Sequence, residues 1–171
     1  MKRLLLVIMS LFLVSCSSVK TRTEVIDTLI DSGFIKNSAG LYERNDGEMA
    51  LRFKYYKAAD GYSESAYRYF EEGPVLIMDT GSFYFNYHFN EDLIYYPTAC
   101  GLENGATGTT EIVYRFETSE FILTHDDCNF DTSSEKVNEF YVEATNYKNQ
   151  ALEVIENLGL TVEDLNNLGI D

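Results

Sequence analysis

The feature that most restricts the fold is a change of hydrophobic period late in the chain. Before it, apolar residues alternate. Met49, Leu51, Phe53 and Tyr55 interleave with Ala50, Arg52, Lys54 and Tyr56, and Phe83, Phe85, Tyr87 and Phe89 interleave with Tyr84, Asn86 and His88. A period of two gives a strand one buried face and one face toward water. After it, Val137, Phe140, Tyr141, Ala144, Tyr147, Ala151, Ile155 and Leu158 recur every three or four residues, which lays an apolar stripe along one side of a helix. A one-sided sheet must cover its apolar face, and this helix is the available cover. The expected class is α+β: an antiparallel β-sheet meander packed against a long C-terminal helix over about 133–158, with a short N-terminal helix over 23–32.

The remaining elements follow from turn chemistry. Residues 40–44 and 48–57 are expected to pair across Asn45-Asp46-Gly47, since these residues tolerate positive φ. Residues 66–71 read as strand or helix. Short strands are expected at 75–78 and 93–96, and a hairpin from 110–117 and 120–125. Pro97, Gly101, Gly105 and Gly108 mark 97–109 as a loop, pinned by Cys100. Thr132 with Glu135 reads as a capping box for the long helix. Gly159 is its stop, and a short helix follows within 161–168.

The N-terminus is organised differently. Lys2 and Arg3 precede an apolar run, Leu4 to Val14, broken only by Ser10. That is the layout of a secretory signal, and the run is shorter than the roughly 20 residues needed to span a bilayer. Leu13-Val14-Ser15-Cys16 then resembles the lipobox of bacterial prolipoproteins. The resemblance implies a signal peptide over 1–15, lipidation of the Cys16 thiol and a lipidated tether over 16–22; the remaining length, 23–171, suits one globular domain with a core of its own. The lipobox resemblance also implies a place in the bacterial cell envelope, on the periplasmic side of the outer membrane or the outer face of the cell membrane. Two or more acyl chains anchor a protein stably where one does not.

Charge narrows the partners. Without Lys2 and Arg3 the 13 basic residues fall to 11 against 28 acidic, a formal charge of −17. Such a domain repels nucleic acid and anionic headgroups and attracts cations or basic proteins. Cys100 and Cys128 form an even pair in an exported chain, for which a disulfide is the default. It would close a loop of about 29 residues and contribute roughly 3–4 kcal/mol on the chain-entropy account. Envelope domains of the cystatin-like or helix-grip type resemble the layout, with no motif selecting among them.

Two short stretches resemble known sites. Ile77-Met78-Asp79-Thr80-Gly81-Ser82 resembles the aspartic-protease motif, in which an apolar strand leads into Asp-Thr-Gly-Ser. The resemblance implies that Asp79 is catalytic, sharing a proton with a second Asp from another copy, while Gly81 permits close approach. The same residues also suit a turn. Asp127, Asn129 and Asp131 resemble the start of an EF-hand calcium loop. Thr132 stands where that loop has Gly, and Asn138 occupies its twelfth position. This leaves a looser Ca2+ site, or a polar junction whose acids favour a helix N-terminus. His88 is expected on a solvated strand face, and His125-Asp126 suggests an oriented imidazole. No Ser or Cys nucleophile can be placed beside either histidine. The reading is a non-enzymatic, lipid-anchored envelope module with an acidic surface that binds a partner or supports an assembly without a cofactor, a basic envelope or host protein being one candidate partner. The alternative is a hydrolase with Asp79 at its centre.

The lipobox reading predicts that Cys16→Ser blocks lipidation and moves the protein from the detergent phase to the aqueous phase in a partitioning assay. Continued detergent partitioning of that variant after signal removal would contradict it.

Overall fold

The computed structural model describes residues 18–57, 66–81, 83–103 and 105–169. Cys16, Ser17 and the expected signal peptide lie outside them. Helix α1 (Arg22–Asp31) leads into eight strands: β1 (Ile35–Lys36), β2 (Tyr42–Asp46), β3 (Met49–Tyr56), β4 (Gly73–Asp79), β5 (Tyr84–His88), β6 (Leu93–Gly101), β7 (Thr107–Arg115) and β8 (Glu120–Asp126). Helices α2 (Ser134–Asn157) and α3 (Val162–Asn166) end the chain. The strands form one sheet in sequence order, and every neighbouring pair is antiparallel. This is the α+β meander that the change of period requires. Among the described residues no helix is long and apolar enough to cross a membrane.

One face of the sheet carries the main core. Leu51, Phe53, Leu76, Met78, Phe85, Tyr87, Ile94, Tyr96, Ile112 and Tyr114 are buried there with Phe140, Ala144, Ala151 and Ile155 of α2. Phe140 sits among four rings, with centroids 5.6 Å from Phe121, 5.7 Å from Tyr96 and 6.4 Å from both Phe85 and Tyr114. Tyr147 stacks on Phe85 at 3.9 Å. A polar tie completes the docking. Asp92, in the β5–β6 turn, accepts from the Tyr87 hydroxyl at 2.7 Å and from Lys148 Nζ on α2 at 2.6 Å. Burial, reinforced by this carboxylate, raises the Tyr87 pKa far above its ordinary value and keeps it a donor.

The opposite face is covered over part of its area. Beyond β3 the chain crosses that side, where Ala66, Tyr69 and Phe70 pack on Leu93, Tyr95, Val113 and Ile122. The ambiguous stretch is a single 3-10 turn, Tyr67–Tyr69. This cover corrects the expectation for β5. Asn86 and His88 are buried although they alternate with the apolar set. His88 is stacked on Phe70 at 4.4 Å and meets the Tyr56 ring at 5.9 Å.

Several boundaries differ from the sequence expectation: Asn45 and Asp46, expected in the hairpin turn, pair with Ala50 and Met49 as the end of β2, and three further differences have physical reasons. The segment read as a loop over 97–109 is mostly the β6–β7 ladder, paired from Leu93↔Arg115 to Gly101↔Thr107. Pro97 is tolerated because pairing of β6 with β5 stops at Tyr95, before the residue that has no N–H to donate. Gly108 is needed for room rather than for a turn. A Cβ there would lie 2.9 Å from Asp127 Cβ and from Leu102 Cδ2, and 3.2 Å from Cys100 Sγ. The N-cap of α2 is Ser133, whose hydroxyl accepts from the Lys136 amide, instead of Thr132. Lastly, Lys20 and Thr21, in the stretch expected as tether, are held by the fold. Thr21 caps α1, and the Lys20 amide donates to Asp164 of the α3 capping box at 2.6 Å.

Because Phe140 fills the centre of the ring cluster, Phe140→Ala is expected to cost about 3–5 kcal/mol, as large aromatic truncations in cores do. Chemical denaturation measures it. A change within experimental error would mean that α2 does not cover this face.

Candidate functional site

Alternation along the strands, together with register, assembles a second surface from residues far apart in sequence. On the face away from α2, Ala50 pairs with Asp79 and Asp79 with Tyr84, while Pro97 pairs with Glu111 and Glu111 with His125. Tyr84 and Pro97 share a shallow hollow of about 280 Å³ that joins these half-rows. The 66–72 segment covers the neighbouring rows; in this strip Tyr84 and His125 are exposed while Glu111 between them is buried. Tyr84 is 44% exposed in it, whereas the Phe83 ring turns to the other face beside Tyr96, 6.3 Å between centroids.

Each ionisable group in the strip has a definite environment. Asp79 ends β4. One carboxylate oxygen accepts from Arg52 Nη1 at 2.8 Å and the other from the Gly81 amide at 2.7 Å. The Arg52 guanidinium, then that amide, hold its pKa below the ordinary carboxylate value. Arg52 also donates through Nε to Glu43 at 3.1 Å. Gly81 has a φ of +81°, and Thr80 closes the turn by donating its amide to the Phe83 carbonyl at 2.9 Å. Ser82 lies outside the described residues. A proton-sharing pair needs a second carboxylate against the first, whereas the partner here is a cation. This environment suits an ion-pair and turn residue.

His125 lies at the far end of the strip. Its Nε2 is 3.0 Å from Asp127 Oδ2, and that hydrogen bond is the chief cause raising its pKa. Four strand spacings separate β4 from β8, about 19 Å at the usual interstrand distance. Asp79 and His125 therefore cannot serve one reacting atom. Thr124 is the extra residue of a bulge, because Glu111 faces His125 while Ile112 faces Leu123. A bulge of this kind re-aims the residues beside it.

The calcium-like residues are engaged locally. The Asp127 carboxylate faces His125 and the Thr109 amide. Asp131 accepts from the Ser133 amide at 2.9 Å, and Asn129 has a φ of +55°. Among the described residues no three His, Cys, Asp or Glu side chains are grouped to hold a metal ion. Cys100 and Cys128 are bonded through sulfur with Cα atoms 5.9 Å apart, which ties the β6 end to the chain leaving β8. Cys16 is outside the described residues.

Sequence reasoning did not single out Arg52, Tyr84 or Glu111. Their only signal is that they are polar or amphipathic residues on the non-core side of alternating strands, and register alone brings them together. The Tyr84 pKa is raised by burial first and then by the charges of Glu111 and Asp79, so three strands contribute to one patch. Comparison with known proteins finds no matching family model, no similar curated protein and no similar solved structure. The function has to be argued from the surface itself.

His88 gives this face a pH signature. Burial, with a smaller contribution from Lys54, lowers its pKa from 6.5 to about 3. Between those values the unfolded chain binds a proton that the folded chain refuses, so stability present above pH 6.5 is lost as pH falls. His88→Phe is expected to lose less stability than the wild type between pH 7 and pH 5. Equal losses in denaturation at both pH values would show that His88 is not held neutral.

Proposed function

We propose that this chain is a lipid-anchored module of the bacterial cell envelope that binds a basic protein through this strip of its sheet. Cys16 is its membrane attachment in this reading. The observation that carries it is one cross-strand row in which exposed Tyr84 lies beside Asp79, with exposed His125 and Asp127 at the far end and the buried Glu111 carboxylate between them. Aromatic side chains supply buried anchor area at protein interfaces. Carboxylates around them select a basic partner and speed its encounter. A formal charge of −17 for the processed chain acts in the same direction over longer range. The strip has a shallow hollow rather than a deep cleft, which suits a protein surface better than a small substrate. Asp79 is neutralised by Arg52, so it serves this surface as an orienting charge more readily than as a catalytic acid.

Site-specific photocrosslinking in the native host tests the proposal. A crosslinking residue in place of Tyr84 should yield a discrete adduct with a basic protein, in an amount that falls when Asp127→Asn, at an exposed carboxylate of the strip, is added. The same residue in place of Tyr141, on α2, should not yield it. Equal yields from both positions, or none from position 84, would overturn the proposal. So would a peptidase activity at acidic pH that Asp79→Asn abolishes with the fold intact.

A further inference from the structure

A second cavity lies on the other side of the sheet, away from the strip. It opens where the last turns of α2 pass over the β2–β3 hairpin, and its volume is about 440 Å³. That falls within the usual range of small-ligand pockets, roughly 300–1,000 Å³. Its floor is apolar. Leu51 pairs with Met78 across β3 and β4, Met49 extends the floor toward the turn, and Val154 closes it from above.

The rim is negative on balance, with Asp46 and Glu153 against Arg44. Ser32 and Leu158 both line the cavity. They are the C-caps of α1 and α2, and neither helix has a basic residue in its last turn. Helix C-termini carry partial negative charge, so two such ends converge on one opening. Glu153 and Asp46 add two carboxylates. Arg44 is the one cation lining the cavity, and it is committed. It donates to the Ser32 carbonyl and to Asp46 Oδ2, each at 3.0 Å, and its guanidinium lies over the Phe34 ring at 4.6 Å. Glu153 is exposed and pairs with no cation in this rim.

From this arrangement we infer that the cavity is a binding site for a small amphipathic cation, an apolar body carrying one protonated amine. The body lies on Met49, Leu51 and Met78. The ammonium sits at the rim between Glu153 and the two helix C-termini, where its charge is complemented. An anion of the same shape meets these dipoles and carboxylates head on, and a neutral alcohol gains only the apolar contact. The site is independent of the protein-binding strip and stands whether or not that reading does.

The chain carries its own reporters. It has four methionines; Met1 and Met9 fall in the stretch expected to be the signal peptide, whereas Met49 and Met78 both line the cavity. Protein labelled with carbon-13 at its methionine methyl groups would be titrated with hexylammonium, hexanol and hexanoate. Hexylammonium should shift both signals saturably, at a concentration about tenfold lower than hexanol requires. Hexanoate should shift neither over that range. Glu153→Gln, an exposed substitution, should narrow the gap between amine and alcohol by about threefold, while Glu135→Gln at the opposite end of α2 leaves it unchanged. Equal binding of amine and alcohol would overturn the inference, as would tighter binding of hexanoate or silent methionine signals with every probe. A preference for the amine that survives Glu153→Gln would also overturn it, because the charge would then be read elsewhere.

Discussion

The structure depends on one packing event: the closure of α2 over the aromatic face of an open meander. Eight antiparallel strands with free edges cannot hold a face of Phe, Tyr, Ile and Leu in water. Phe140 and Tyr147 meet that face through Phe85, Tyr96, Tyr114 and Phe121, with centroids between 3.9 and 6.4 Å. Tilted and stacked ring pairs at such distances add to plain area burial. Much follows from this contact. The Lys148–Asp92 bond fixes how α2 lies along the strands, and the offset of its last turns from the hairpin leaves the cavity.

Closure over one face explains what could be read from the sequence. The alternation of Met49 to Tyr55 and of Phe83 to Phe89 reveals the helix-covered face, because each strand carries an unbroken apolar side. The long helix is legible because its stripe keeps one period from Phe140 to Ile155. The fate of Asn86 and His88 was not legible. Their cover comes from Ala66, Tyr69 and Phe70, in a connection with no period of its own. Pro97 and the glycines after it read as loop by composition. Their strand character depends on where the neighbouring ladder ends, which is a property of register.

The candidate site was legible only as residue types. Asp79 and His125 stand out in sequence, but register places them about 19 Å apart across the sheet. Asp79 acquires a meaning opposite to that of a shared proton once Arg52, distant in sequence, is found 2.8 Å away. Glu111 is an ordinary strand residue until pairing sets it between Pro97 and His125. The surface belongs to the sheet rather than to any segment, so a motif search along the chain has nothing to find.

The functional account rests on which surface is covered in the envelope, and two tyrosines allow a matched comparison. Tyr84, in the strip, and Tyr141, on α2, are each 44% exposed. Tyrosine iodination followed by mass spectrometry would compare them in the purified protein and in intact cells. The account predicts that both are labelled in the purified protein and that, each compared with its own labelling there, only Tyr84 loses labelling in cells. Undiminished labelling at Tyr84, with or without protection of Tyr141, would contradict it.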